Sequence, residues 1–487
     1  MGNGEKTKCD VVIAGAGGAG LMAALTLSES NLRVMVCEKM RVAGGSTRFP
    51  EGMFGAESTL QKKRNIRVTR DEAFKAIMDY SHWKANASLV RTFVDQSAGT
   101  IDRLEQMGVE FTEPSSFWPG APRTWHLFKG HGAALVKCLL ARAAEKGIRI
   151  HYETAVKELI RRGDGPVTGA VIEDKEGRQT RVATQAVIVA TGGYANDPEL
   201  IKNTTGLNLR GNLFPIGNFE KYGEGLRMAW AVGAAREGLG ILNFSSGGPV
   251  GPGIKPAGHI VAAVRQPELW INQQGLRFCD EAIVHNSIFC GNAMARQKGG
   301  FAFRIFDDQA RQYFVEKGID VGVGTFVPPG TRLTGFDAEL KEALSQMNRN
   351  VFVAQTIEDL ANQMAVEAEV FQKTVLTYNR FCEKGHDEAF VKDPIYLRSV
   401  RTPPFYAFKC YLDFCGTNGG IKINEKTEVL DPSDKVIPGL YAVGNDAGGL
   451  YGDSYDMIAA GAACGFALVS GWLAGERALS YAGVKSG

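Results

Sequence analysis

The chain has no C-x-x-C pair among its nine cysteines. That absence leaves zinc ribbons, iron–sulfur runs and a c-type haem attachment without ligands. The odd count and mostly apolar settings fit reduced, buried thiols and a cytoplasmic location. Net charge is equally scarce: 55 basic against 53 acidic residues leave +2. Such a balance argues against nucleic acid or an anionic membrane surface as a partner. Two uncharged runs, Val11–Leu27 and Met457–Gly475, invite a membrane reading. Both are broken by glycine and rich in alanine, which suits packing against a sheet or cofactor better than lipid, so no membrane span is expected. The opening "MGNGEKTKCDVVIAG" leaves too little room for a signal peptide before the first strand. No second G-x-G-x-x-G follows a strand, which speaks against a separate NADPH site.

Glycine is plentiful instead: 59 of 487 residues, about 12% against a usual ~7%. The glycines cluster without period, so collagen-like and low-complexity readings fail. Clusters mark places where backbone must come close to something. A chain of this length, 44% hydrophobic, has material for about two to four domains.

The segment "CDVVIAGAGGAGLMAALTLSESNLRVMVCEK" is the most informative. Val11 to Ala14 predict a buried parallel strand, Leu21 to Leu27 a helix, and Leu32 to Glu38 a second strand ending in an acid. Between strand and helix stands G-A-G-G-A-G, Gly15 to Gly20. Gly15 makes the tight turn, Gly17 admits a pyrophosphate to the backbone, and Gly20 lets helix and strand pack closely. The helix N-terminus offers free N–H groups and the positive dipole end to that pyrophosphate. Glu38 can accept hydrogen bonds from a ribose diol, which selects FAD or NAD over NADP.

A second glycine pair, Gly44-Gly45, with Ser46-Thr47, follows the ribose acid. With "YETAVKELI", "AVIVATGGYANDPEL" and "TNGGIKINEKTEVLDPSDKVIPGLYAVGNDAGG", it makes the chain resemble the flavoprotein family of fumarate reductase, succinate dehydrogenase and 3-ketosteroid dehydrogenase. The motifs run from residue 10 to about 475. The resemblance implies FAD. No histidine lies between Arg41 and Phe54, so non-covalent FAD is expected. Motif and resemblance together place cofactor contacts at Gly15, Gly17, Gly18, Ala19, Gly20, Glu38 and Lys39. Further contacts are implied at Gly44, Gly45, Ser46, Thr47, Gly52 and Met53, and at Ala155 and Val156. The remainder fall at Ala190, Thr191, Gly192 and Asn196, and at Gly444, Asn445, Ser454 and Ala460.

The expected fold is α/β: a Rossmann-like FAD-binding domain with a parallel sheet and a β-meander, plus an inserted α+β capping domain. Helical periodicity covers 69–107, 133–146 and 356–382, and alternation over 148–190 predicts the meander. The FAD-binding domain is expected over 1–211 and 403–487, and the capping domain over 212–402. In the family the cap covers the isoalloxazine and substrate lies between the domains.

At the reacting groups the chain departs from fumarate reductases. Where their proton-donating arginine stands, "GLRFCDEAIVHNS" supplies His285. Where their second arginine stands, "GDSYDM" has Tyr455. The 3-ketosteroid dehydrogenases carry tyrosine at both places, and Gly452-Asp453-Ser454-Tyr455 matches their G-x-S-Y loop. The resemblance thus implies that Tyr455 and the N–H near Ala459 hold a ketone oxygen as it gains enolate character. A helix from about Ala460 would aim its N-terminus at the flavin. His285 is the candidate base or acid; a satisfied histidine in the cap is the alternative. Tyr451 can stand in for Tyr455. Arg123, His126, Asn418 and Gly419 are weaker substrate candidates, and Asp453 and Asp456 read as solvated or structural.

Three functions follow. The first is an FAD-dependent oxidoreductase acting on a CH–CH or C=C bond conjugated to a ketone, on a cyclic or steroid-like substrate. The second is a fumarate-type enoate reductase, with Arg48, Arg123 or Arg265 holding a carboxylate. The third is an electron-transfer flavoprotein with no small organic substrate. The expected partners are a small carbonyl compound and an electron donor or acceptor that sequence does not name.

Overall fold

The computed structural model describes residues 7–118 and 120–485. Two compact units divide the chain. The first comprises Met1–Gly206, Gly217–Asn243 and Cys415–Gly487; the second comprises Leu207–Ile216 and Phe244–Phe414.

The first unit is built on a six-stranded sheet. Its order is Glu428–Leu430, Val436–Ala442, Ala186–Val189, Val11–Ala14, Val34–Cys37, Ile150–His151. Every pairing except the first is parallel. The two central strands, VVIA and AVIV, are buried at every residue, as a sheet covered on both faces requires. Helix Gly18–Leu27 follows directly, and all ten of its residues are buried. The C-terminal helix Ala462–Lys485 packs on it through small residues. A Cβ on Gly471 would come within 2.2 Å of the Ala19 carbonyl oxygen, so only glycine permits this approach. The uncharged run near the C-terminus is therefore a protein-facing helix. Among the described residues no helix is long and apolar enough to cross a membrane.

The predicted meander exists, but its ends belong elsewhere. Ala155–Arg161, Val167–Glu173 and Gln179–Ala183 form antiparallel pairs. Ile150–His151 and Ala186–Val189, also within the alternating stretch, join the parallel sheet instead. The switch is made at Thr184, whose Oγ1 donates to the Asp10 carbonyl and hands the chain to the other layer. Likewise 69–107 holds two helices, Arg70–Tyr80 and Ala87–Gln106. Thr69 and Glu72 close a capping box on the first, and Asn86 caps the second.

The second unit carries a mixed sheet in the order Leu213–Pro215, Phe405–Thr417, Phe301–Asp307, Leu269–Ile271. Val351–Ala354 pairs with the same long strand. The helical stretch over 356–382 divides into Ile357–Met364 and Ala368–Lys384. The break is Ala365, which takes the left-handed conformation at φ 55° and ends the first helix.

Candidate active site

Glycine geometry shapes the N-terminal cradle. Gly15 has φ 108°, and a Cβ there would fall 2.3 Å from the Ala190 carbonyl oxygen. A Cβ on Gly20 would meet the Gly15 carbonyl oxygen at 2.0 Å. Turn and close packing thus both demand glycine, as the motif predicts. At Gly17 the space in front is open, with nothing within 4 Å of a built Cβ. Gly17 pairs with Gly44, and Gly18 N–H donates to Thr47 Oγ1 at 3.0 Å. The second glycine loop therefore lies against the helix N-terminus, beside Ala19. Gly45 and Ser46 continue it, and Ser46 Oγ donates to the Gly217 carbonyl.

Glu38 is buried at the end of the second strand. Its Oε2 accepts Ala16 N–H at 3.0 Å and its Oε1 accepts Met40 N–H at 2.9 Å. Among the described residues no ion pair engages it, so carboxylate lone pairs stay available to a diol. Lys39 is paired with Glu224. Lys39 and Ala155 line one surface depression together with Met40, Arg41 and Val42; Val156, beside them, is buried.

Two other predicted positions, with the neighbouring Gly193, meet at a residue the motifs do not single out. Thr191 Oγ1 and the N–H groups of Gly192 and Gly193 all donate to the Asp446 carboxylate, at 2.8–3.0 Å. Ala190 N–H donates to Ala14 O. Asp446 is fully buried, and burial raises its pKa against those bonds. It ties the glycine turn after strand Ala186–Val189 to the Gly444–Asp446 turn. Asn445 O accepts Gly419 N–H at 3.1 Å, and Gly444 N–H donates to Ser470 Oγ. Asn418 lies beside them, buried, with Nδ2 unpartnered. Asn196 reaches Lys221: its Oδ1 accepts Lys221 N–H at 3.1 Å.

The C-terminal glycine loop carries the reacting candidates. Tyr455 is 3% exposed, and its Oη accepts the Ala463 N–H at 3.1 Å. Ala463 lies in the first turn of helix Ala462–Lys485. Burial raises the Tyr455 pKa, against the pull of that N–H, so the phenol stays neutral. The Tyr451 hydroxyl beside it also pulls the Tyr455 pKa down. Tyr451 packs on it, ring centroids 4.8 Å apart. Tyr451 Oη is buried without a hydrogen-bond partner.

Asp456 contributes a buried carboxyl. Its Oδ1 accepts Ile458 N–H at 2.8 Å, while Oδ2 has no partner. Burial pushes its pKa up to about 7. The helix begins at Ala462, not at Ala460. Ala459 precedes it in a bend, and its N–H interacts with the Asp456 carboxyl. Ala460 is buried, and the neighbouring Gly461 presses on Met53: a Cβ there would come within 2.8 Å of Met53 Cα. Strand Gly52–Phe54 is thereby held against the loop, with Phe54 N–H donating to Gly461 O. Ser454 belongs to the same loop.

The weaker substrate candidates do other work. His126 is fully buried; Nδ1 donates to Thr124 O at 3.0 Å and Nε2 accepts from Ser58 Oγ at 2.7 Å. Burial lowers its pKa to about 4, the mark of a neutral core histidine. Arg123 donates to Pro114 O and Glu113. Arg48 donates to Ala43 O, and Arg265, in the second unit, pairs with Asp413 at 3.2 Å and with Ser245. In the second unit His285 is half-buried, with Nε2 2.9 Å from Tyr396 Oη. Burial lowers its pKa, opposed by Asp320 and Asp280.

Residues 10–461 match a protein family described as FAD binding domain. The chain belongs to that family. It is an FAD-dependent oxidoreductase. It is 36% identical over 479 residues to a vinyl phenol reductase of Lactiplantibacillus plantarum, covering 97% of this chain and 96% of the relative. It is 26% identical over 477 residues to a cytochrome fumarate reductase of Shewanella frigidimarina, covering 97% and 77%. Among solved structures, a 3-ketosteroid-Δ4-(5α)-dehydrogenase from Rhodococcus jostii RHA1 shares the fold, with TM-score 0.76 at 22% identity over 98% of both chains. The open space before Gly17 and the unpaired Glu38 carboxylate fit the FAD diphosphate and ribose. The glycine loops of the first unit would hold the rest.

Asp446 and Asp456 are not singled out by the sequence motifs. The first is foreshadowed only by the word "GND", and the second by an aspartate in a loop otherwise free of acids after Asp453.

Proposed function

We propose that this flavoprotein forms or reduces a C=C bond conjugated to a ring-borne oxygen, with that oxygen bound by Tyr455. One observation carries the proposal: the buried Tyr455 hydroxyl accepts the Ala463 N–H in the first turn of the C-terminal helix. A phenol in that state is a neutral, aimed donor. Accepting the Ala463 N–H makes its O–H more acidic than an isolated buried phenol, which strengthens the bond it donates. Such a donor is worth most where charge develops on the bound oxygen, as a ketone turns toward an enolate.

FAD held by the glycine loops of the first unit would supply the hydride chemistry. The chain's residues manage the rest. Tyr455 holds the oxygen. His285, in the second unit, is the residue proposed for proton transfer, its neutral imidazole being able to accept a proton. Tyr396, bonded to His285 Nε2, fixes the ring and leaves Nδ1 as the working nitrogen.

The printed name of the 36% relative joins a vinyl group to a phenol. A vinyl group conjugated through a ring to a phenol oxygen is a vinylogous enol, and its quinone-methide tautomer is the vinylogous enone. Protonating its terminal carbon while the phenol O–H proton leaves gives a quinone methide, whose oxygen is a polarised carbonyl and whose benzylic carbon can take the hydride. The same donor on Tyr455 serves both, so ring ketones and vinyl phenols form one substrate class, and the relative favours the reducing direction.

A fumarate-type reduction is the second reading, favoured by the 26% relative. It needs cations for a carboxylate, and Arg48, Arg123 and Arg265 are each engaged by protein acceptors. The test is anaerobic. Reduced holoenzyme is mixed with a cyclohexenone, a vinyl phenol and fumarate, and the return of the oxidised flavin band is timed. Oxidation by the first two supports the proposal. Rapid oxidation by fumarate alone replaces it with the second reading.

A further inference from the structure

Among the described residues, no carboxylate is bonded to the Lys221 ammonium in the first unit. Lys221 is 7% exposed. Its Nζ donates to Ser46 Oγ and, at 3.1 Å, to Asn218 Oδ1, both neutral acceptors. An ammonium has three donors, so two such bonds leave one for an incoming group. The carboxylate whose field it feels is Asp446. Asp446 spends its oxygens on Thr191, Gly192 and Gly193. Burial depresses the Lys221 pKa to about 8; Asp446 opposes the drop and Lys39 adds to it. Burying an unpaired charge is costly, and a functional anion would offset that cost.

The position identifies the anion. Ser46 sits one residue before Thr47, whose Oγ1 takes the Gly18 N–H at the start of helix Gly18–Leu27. The ammonium and the helix N-terminus therefore share one glycine loop. From the other side Gly192 gives Lys221 room: a Cβ there would lie 3.2 Å from Cε and 3.5 Å from Nζ. Asn196 pins the backbone of Lys221 through both its N–H and its carbonyl. The nearby cations are engaged elsewhere, Lys39 with Glu224 and Arg48 with Ala43 O. We propose that Lys221 is the cationic ligand of the FAD diphosphate, completing the anion site that the helix N-terminus opens. The N-terminal motif supplies neutral N–H donors, and Lys221 adds the full charge from 200 residues further along.

The test is cofactor release, independent of turnover. Holoenzymes of wild type, Lys221→Met and Lys221→Arg are diluted, and the rise of free-flavin fluorescence is followed at pH 6.5 and 9.5. A lost charged hydrogen bond predicts release on the order of ten- to a hundredfold faster from Lys221→Met at pH 6.5. Lys221→Arg restores most of the retention. The free-state amine is protonated below about pH 8 and a bound diphosphate holds the proton higher. Wild-type retention therefore weakens as pH rises toward 9.5, and the Met variant loses that dependence. Equal release from wild type and Lys221→Met overturns the proposal. So does a loss of the same size at both pH values with no rescue by arginine, which marks a packing defect. Unchanged release with a shifted flavin midpoint potential also overturns it, moving Lys221 to the isoalloxazine.

Discussion

Replacing Tyr455 by phenylalanine removes one oxygen and leaves the ring. The packing on Tyr451, 4.8 Å between centroids, survives. Two consequences separate. The Ala463 N–H loses its acceptor at a buried helix start. Leaving such a donor unpaired costs about 1–3 kcal/mol of stability. The substrate oxygen loses its aimed donor, a transition-state term of about 2.7–4 kcal/mol, or about two to three decades in rate. The rate of flavin reduction by a saturated ring ketone, or of reoxidation by the enone, reads the second term directly. Thermal unfolding of the same preparation reads the first. Tyr451→Phe is the matched control, because Tyr451 Oη has no bond to lose. It should keep its rate within about threefold and lose no stability. A Tyr455→Phe rate within threefold of wild type refutes the assignment. If the Tyr451 variant suffers the large loss instead, the donor is the neighbouring phenol.

Three further outcomes are expected. His285→Ala should slow the reaction on the order of a hundredfold or more, as loss of a proton-transfer group does; Tyr396→Phe should cost less, and a near-wild-type rate for the alanine variant removes the histidine from the chemistry. Asp456→Asn should flatten the pH dependence of stability. The folded carboxyl titrates near 7 and an unfolded one near 3.8, so unfolding releases a proton between those values and wild type loses stability as pH rises through the window. The asparagine variant should gain relative to wild type above pH 7, by at most about 4 kcal/mol at 1.36 kcal/mol per pH unit, and parallel melting curves from pH 4 to 8 would refute it. Arg265→Gln should lower unfolding stability by about 3 kcal/mol, from stranding Asp413, without moving the KM of any substrate. A KM for fumarate raised tenfold in a normally stable variant would instead show that this arginine holds a carboxylate.

Much of the cofactor cradle is legible in order along the chain. Gly15, Gly17, Gly20 and Glu38 are local features, set by the backbone conformations a strand–turn–helix unit can adopt. Their spacing alone predicts what the structure shows: a Cβ at Gly15 or Gly20 collides with backbone, and one at Gly17 meets nothing. The uncharged C-terminal run is also read correctly as packing, since alanine and glycine spacing suits a helix pressed on another helix. Element ends are read less well. A left-handed Ala365, or a strand that leaves one sheet for another at Thr184, has no strong local signal.

The polar residues are where sequence falls short. His126 stands in a glycine-flanked loop and invites a pocket, but folding gives it Ser58 and Thr124 and seals it. Arg265 looks free to meet a carboxylate until Asp413, 148 residues away, claims it. Asp446 and Lys221 matter through partners 253–255 and 175 residues distant. The amino-acid sequence by itself determined the nucleotide-binding unit and its demand for glycine, because those follow from short-range sterics. Only the tertiary structure decided which charges are spent on the protein and which remain for a ligand, because a charge is cancelled by whatever folding brings beside it.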